Sequence, residues 1–163
     1  MKAFLLAIVL LVGCGDGSST RLVSFYGDSI TAGRTQDIAL GLFNTQDFAQ
    51  PGNTSYTPLH PDDKASIVVL RYGMADIVSG IAPEQTRNNL LQLVAQVKQQ
   101  GKTPVVISVS KADGKEEPTN AALKDLITVD LSDLEGSTVD GTHPTDAYHA
   151  AMYTRIRNFL EKL

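Results

Sequence analysis

Ser66-Ile67-Val68-Val69-Leu70 is the stretch that decides the fold class. Its apolar residues run consecutively instead of alternating. A strand of this kind must be covered on both faces, as in a parallel sheet with helices above and below. Leu22 to Tyr26 reads as a first strand upstream, and Thr103 to Val109 as a fourth downstream. Asp47 to Ala49 is a short second strand and Ile127 to Leu131 a fifth. Between them lie helical patterns. Asp37 to Phe43 and Thr119 to Leu126 are short. Pro83 to Gln100 is long, with Pro83 suited to a first turn and Gly101 to a stop. Its apolar face reads as Leu90, Leu91, Val94 and Val97. Thr145 to Lys162 closes the chain with Tyr148, Met152, Ile156, Phe159 and Leu163 inward. Alternating strands and helices predict an α/β, flavodoxin-like three-layer sandwich. It has a central parallel sheet of about five strands with helices on both faces.

The chain has 163 residues, enough for one domain with a workable core. A formal charge of −4 and scattered Lys and Arg give no basic stripe, which argues against a nucleic-acid binder. The first residues read differently from the rest. Lys2 precedes an unbroken apolar run from Ala3 to Val12, too short for a comfortable membrane span and suited to a signal-peptide core. The run ends in Leu11-Val12-Gly13-Cys14, which resembles a bacterial lipobox. Residues 1–14 are thus expected to be a signal peptide, with Cys14 carrying lipid and beginning the mature chain. Residues 15–21 form a polar tether and 22–163 the domain. An ordinary secretory signal with an incidental cysteine stays open. Cys14 is the sole cysteine, so an internal disulfide is ruled out. The spacing of Gly13, Gly15 and Gly17 invites a nucleotide-loop reading, but no strand precedes it and no helix follows.

Two motifs carry the chemistry. Gly27-Asp28-Ser29-Ile30 sets a serine on a turn after the first strand, and Asp140-Gly141-Thr142-His143-Pro144 sets an aspartate and a histidine three residues apart. A serine hydroxyl needs a base within hydrogen-bond reach, and the base needs a carboxylate to fix its tautomer. Ser29, His143 and Asp140 can fill those roles. Ligands in open α/β sheets bind at the carboxyl ends of the strands, where the strand order reverses. An order of 2-1-3-4-5 brings the loops after the first three strands together there.

The ordered set of motifs resembles the SGNH, or GDSL, hydrolase family. Its blocks read here as Gly27-Asp28-Ser29, Gly52 in Pro51-Gly52-Asn53-Thr54, Gly73-Met74-Ala75-Asp76, and Asp140 to His143. The resemblance spans about Leu22 to Leu163 and implies the same strand order. It also implies an oxyanion hole made by the backbone N–H of Ser29, the backbone N–H of Gly52, and a block-three asparagine. Here Ala75 replaces that asparagine and has no side-chain donor. Asn53 is close enough in sequence to substitute.

Each motif also has a plainer reading. Ser29 suits a helix N-cap, Asp140 a turn, and His143 a helix entry. Asp28 is expected to hold its turn through local backbone hydrogen bonds, and Asp76 to tie down the block-three loop at Gly73. Arg71 and Tyr72 are candidates to line the pocket, although Arg71 also suits a sheet-edge cover. Arg34 is a candidate contact for an acidic group on a substrate. His60, Asp62 and Asp63, interrupted by Pro61, read as a solvated loop in place of a metal site. His149 reads as structural.

The sequence is thus read as a lipid-anchored or secreted serine hydrolase of the cell envelope. It is expected to be a monomer cleaving a carboxylic ester of short acyl length, such as an acetylated sugar. No cofactor or metal is implied, and no nucleic-acid partner. The alternative is a binding lipoprotein on the same fold, degenerate at Ala75.

Overall fold

The computed structural model describes residues 20–34 and 43–163. The signal-peptide reading, Cys14, nearly all of the tether and most of the expected helix at 37–43 lie outside the described residues. The elements are β1 (Arg21–Gly27), β2 (Phe43–Asp47), β3 (Ile67–Arg71), α1 (Met74–Val78), α2 (Pro83–Gln99), β4 (Thr103–Val106), α3 (Glu117–Leu123) and α4 (Asp146–Leu160). The four strands form one parallel sheet in the order β2-β1-β3-β4.

Alternation along the buried strands divides the interior in two. Val23, Phe25, Ile67 and Val69 point into one core with Tyr148, Met152, Ile156 and Leu160 of α4. Tyr26, Val68 and Leu70 point into the other with Leu90, Leu93 and Val97 of α2 and Leu123 of α3. Three layers result, with the sheet in the middle, because β1 and β3 are apolar on both faces.

Several boundaries differ from expectation. β2 lies at 43–47 and not at 47–49, and Phe43 opens it instead of ending a helix. β2 is an edge strand with the polar run Asn44-Thr45-Gln46, so hydrophobicity does not mark it. Past it, Phe48 N–H still donates to Phe25 O at 2.9 Å. A regular fifth strand does not form among the described residues. Residues 127–131 run beside β4 with one isolated bridge, Ile107 to Val129. Hydroxyls take over ladder positions there: Thr128 Oγ1 accepts from Val106 N–H at 3.2 Å and Ser108 Oγ from Leu131 N–H at 2.8 Å. β4 itself stops at Val106, and Asn120 brackets the backbone of Val109 through both its N–H and C=O. On α2, Leu93 is buried and Leu91 faces out, as the 100° step from Leu90 requires. On α4, Leu160 completes the face and Leu163 is half exposed. The loop of His60 to Asp63 is less solvated than expected. Asp63 is buried and accepts from Ser24 Oγ at 2.8 Å and Tyr26 Oη at 3.0 Å, with Lys102 Nζ at 3.5 Å.

Candidate active site

β1 runs into a tight turn that its own aspartate holds. Asp28 Oδ1 accepts from Ile30 N–H at 3.0 Å, and Asp28 O accepts from Thr31 and Ala32 N–H at 3.1 and 3.0 Å. Ser29 is thereby set at the carboxyl edge of the sheet. Asp28 does more than hold its own turn: Oδ2 accepts from Ala75 N–H at 3.1 Å, joining the first block to the third. The third loop leaves β3 at Gly73, whose φ of 128° is closed to ordinary side chains. A Cβ there would also meet Val109 Cγ2 at 2.4 Å. The short helix α1 follows, an element too brief for periodicity to announce. Asp76, fully buried, accepts from Ser55 N–H at 3.0 Å, from Ser55 Oγ, and from Thr86 Oγ1 at 3.1 Å. It ties the second block, the third and α2 together.

The other half of the site comes from the loop before α4. That loop is pinned by Val139 N–H to His143 O at 2.8 Å and Thr145 N–H to Ser137 O at 2.9 Å. Within it, Asp140 Oδ1 accepts from His143 N–H at 2.7 Å and Thr142 N–H at 3.0 Å, and Oδ2 lies 2.7 Å from His143 Nδ1. The His143 backbone N–H first, and its imidazole next, hold the Asp140 carboxyl down at about 2. A carboxylate can only accept, so the imidazole proton belongs on Nδ1 and the Nε2 lone pair is free. Ser29 Oγ stands 2.8 Å from Nε2. Serine, histidine and aspartate form one continuous hydrogen-bonded chain.

These residues open on a cavity of about 270 Å³. Its lining combines polar Asp28, Ser29, Asp140, Thr142 and His143 with apolar Met74, Ala75 and Val78, and includes Gly52 and Ser79. Among the described residues no atom accepts from the backbone N–H of Ser29 or of Gly52. Both are available to a bound oxygen. Ala75 N–H is not, because Asp28 takes it. A larger groove of about 760 Å³ between α4 and residues 128–134 contains no comparable nucleophile and base.

The remaining sequence candidates fall outside the cavity. Arg34 forms an exposed ion pair with Asp146 at 3.0 Å. Arg71 and Tyr72 are buried beneath the serine turn, and their side chains do not reach the pocket. Asn53 does not line it either; its N–H donates to Gln50 O at 3.1 Å. His149 is buried on α4. Val78, Ser79 and Thr142 were not singled out by sequence. The first two lie beyond the third block at the end of α1, where no motif points.

Known structures share this parallel sheet with helices on both faces. No protein-family model matches the sequence, nor does any curated protein. The lipase/acylhydrolase from Enterococcus faecalis superposes with a TM-score of 0.74 at 18% identity, over 87% of this chain and 96% of its own. A GDSL-like lipase from Bacteroides thetaiotaomicron gives 0.68 at 20% identity, over 88% and 89%. A mutant of an acetyl-xylooligosaccharide esterase from Geobacillus gives 0.65 at 14% identity, over 86% and 94%. The fold is that of the SGNH, or GDSL, hydrolases.

Proposed function

We propose that this protein is a serine hydrolase of carboxylic esters. The observation that carries the reading is the chain from Ser29 Oγ to His143 Nε2 at 2.8 Å and from Nδ1 to Asp140 Oδ2 at 2.7 Å. His143 removes the Ser29 proton as Oγ attacks the acyl carbon. Asp140 orients the ring and offsets the charge of the imidazolium. The backbone N–H groups of Ser29 and Gly52 receive the oxyanion. His143 then hands its proton to the leaving alkoxide, the alcohol departs, and the acyl group stays on Ser29. Water, deprotonated by His143, attacks that acyl-enzyme and restores the serine.

The short apolar wall of Met74, Ala75 and Val78 suits a small acyl group. Acetyl esters on a carbohydrate are the favoured class, and one fold neighbour is an acetyl-xylooligosaccharide esterase. The basic, apolar and Cys14 segments at the start of the chain support a lipid-anchored envelope protein, with Cys14 as the modified residue. Ala75 supports a second reading, a binding protein that keeps the fold without turnover. Hydrolysis of p-nitrophenyl acetate separates the two. Turnover that disappears in Ser29→Ala supports the enzyme. Wild-type turnover retained in Ser29→Ala ends the triad assignment, and an inert wild-type protein favours the binding reading.

A further inference from the structure

Arg71 is the one buried arginine or lysine among the described residues, at 5% exposure. It ends β3 directly beside Gly27 of β1, so close that a Cβ on Gly27 would stand 2.5 Å from Arg71 O. Its guanidinium is poorly satisfied. Nη2 reaches Ser110 Oγ at 3.3 Å and Met152 Sδ at 3.5 Å, while Nε and Nη1 have no partner among the described residues. It makes no ion pair there either. A buried cation in this state costs stability unless something repays it.

The compensation lies across a small void of about 10 Å³. Arg71, Tyr72, Ser110 and Asp28 all line it, and the Tyr72 hydroxyl is a further donor without a partner among the described residues. The void has room for about one water. Asp28, with Met74, also lines the cavity at Ser29, so the two spaces share these residues. Its carboxylate therefore borders the cavity in which the proposed reaction would place a negative acyl oxygen. Two negative charges so close in a low dielectric oppose each other.

We propose that Arg71 is an electrostatic positioning residue. From beneath the serine turn it offsets the charge of Asp28, keeping that carboxylate in its two backbone hydrogen bonds and letting negative charge develop at the acyl oxygen. A single water bridging Arg71 and Tyr72 donors to Asp28 would complete the contact. This inference rests on the ester-hydrolase reading for its kinetic part only.

The decisive variant is Arg71→Met, which keeps length and apolar volume but removes the charge. kcat on p-nitrophenyl acetate should fall about 10–100-fold with KM within about twofold. The unfolding midpoint should change little, since removal of a poorly paired buried cation offsets the lost attraction to Asp28. Arg71→Lys should recover most of kcat. An unchanged kcat in Arg71→Met, a fall matched by a lower midpoint, or no recovery in Arg71→Lys would each overturn the proposal. A double-mutant cycle on unfolding needs no turnover: Asp28→Asn should cost more in the wild-type background than in Arg71→Met. Strict additivity overturns the inference even if the protein hydrolyses nothing. Conversely, turnover that survives Ser29→Ala removes the hydrolase reading and leaves the cycle to decide Arg71.

Discussion

The turn that carries Ser29 and the loop that carries His143 meet at 2.8 Å, yet they are held by different means. The serine turn is built into the core. Asp28 is 3% exposed and bonds to both its own turn and the third block, and Asp76 ties that block to the second. The histidine loop is self-contained. Its aspartate and histidine side chains are 52% and 43% exposed, and apart from the contact with Ser29 their bonds fall within four residues. Buried carboxylates fix the proposed nucleophile, where an error of an ångström would be costly. An exposed base leaves room for substrate and water to enter. Loss of the buried carboxylates of the first region should therefore reach folding as well as rate, whereas changes at the cavity surface of either region should act mainly on rate.

Removal of the nucleophile gives the largest effect. Ser29→Ala should lower kcat/KM by about 10⁴-fold or more with an unchanged unfolding midpoint, because the side chain sits on a turn at the cavity wall. Asp140→Asn should cost about 10²–10⁴-fold in kcat by losing the tautomer, again with little change in a thermal melt. A melt that drops by many degrees would erase the contrast between the two regions.

The same contrast has a pH form. His143 must be neutral to take the serine proton, so kcat/KM should be lost toward acid in one proton step. Asp140 cannot be its source, because its carboxyl is held down at about 2. A depressed carboxyl adds stability above its unfolded value of 3.8 and loses it as pH falls toward 2. Unfolding midpoints of wild type and Asp140→Asn should therefore keep a constant gap above about pH 4 and converge below it. A gap that changes between pH 5 and 8 would assign the linkage to another group.

On the buried side, Asp76→Ala leaves Ser55 and Thr86 donors unsatisfied and should destabilise by about 2–4 kcal/mol, read by urea unfolding. Smaller is the gain from Ala75→Asn, about tenfold in kcat if the new amide reaches the oxyanion, since the loop was not shaped to hold it. Smallest is Asn53→Ala, which should leave kcat within about twofold because Asn53 does not line the cavity. A loss of about 10²-fold in that last variant would make Asn53 an oxyanion donor after all.

The parts legible in the sequence were those with dense local signals. β1, β3, α2 and α4 carry apolar runs or a helical stripe, and their bounds fall within a few residues of expectation. The residues quoted as Ser29, Asp140 and His143 do converge. What stayed hidden depends on partners distant in sequence. β2 is polar because one side of it faces no strand among the described residues. Residues 127–131 look like a strand, but hydroxyls of Thr128 and Ser108 interrupt its backbone bonds to residues 106–108. α1 is too short to show a period. The Asp28-to-Ala75 bond joins residues 47 apart in the chain, so neither motif predicts it. Arg71 looked like a pocket residue because it flanks Gly73, while the pleat turns it beneath the turn.

The parallel sheet also fixes which way the site looks. β1 enters at Arg21 and reaches the catalytic edge at Gly27, roughly 20 Å further on. The chain thus arrives at the pole opposite the cavity. Six residues separate Cys14 from that entry, and fully extended they allow at most about 25 Å. A compact domain of this length is roughly 35 Å across. A lipid on Cys14 could not let the molecule turn over and press its active site onto the same leaflet. The cavity would face outward, so the esters within its reach would be those presented from beyond the membrane that holds it.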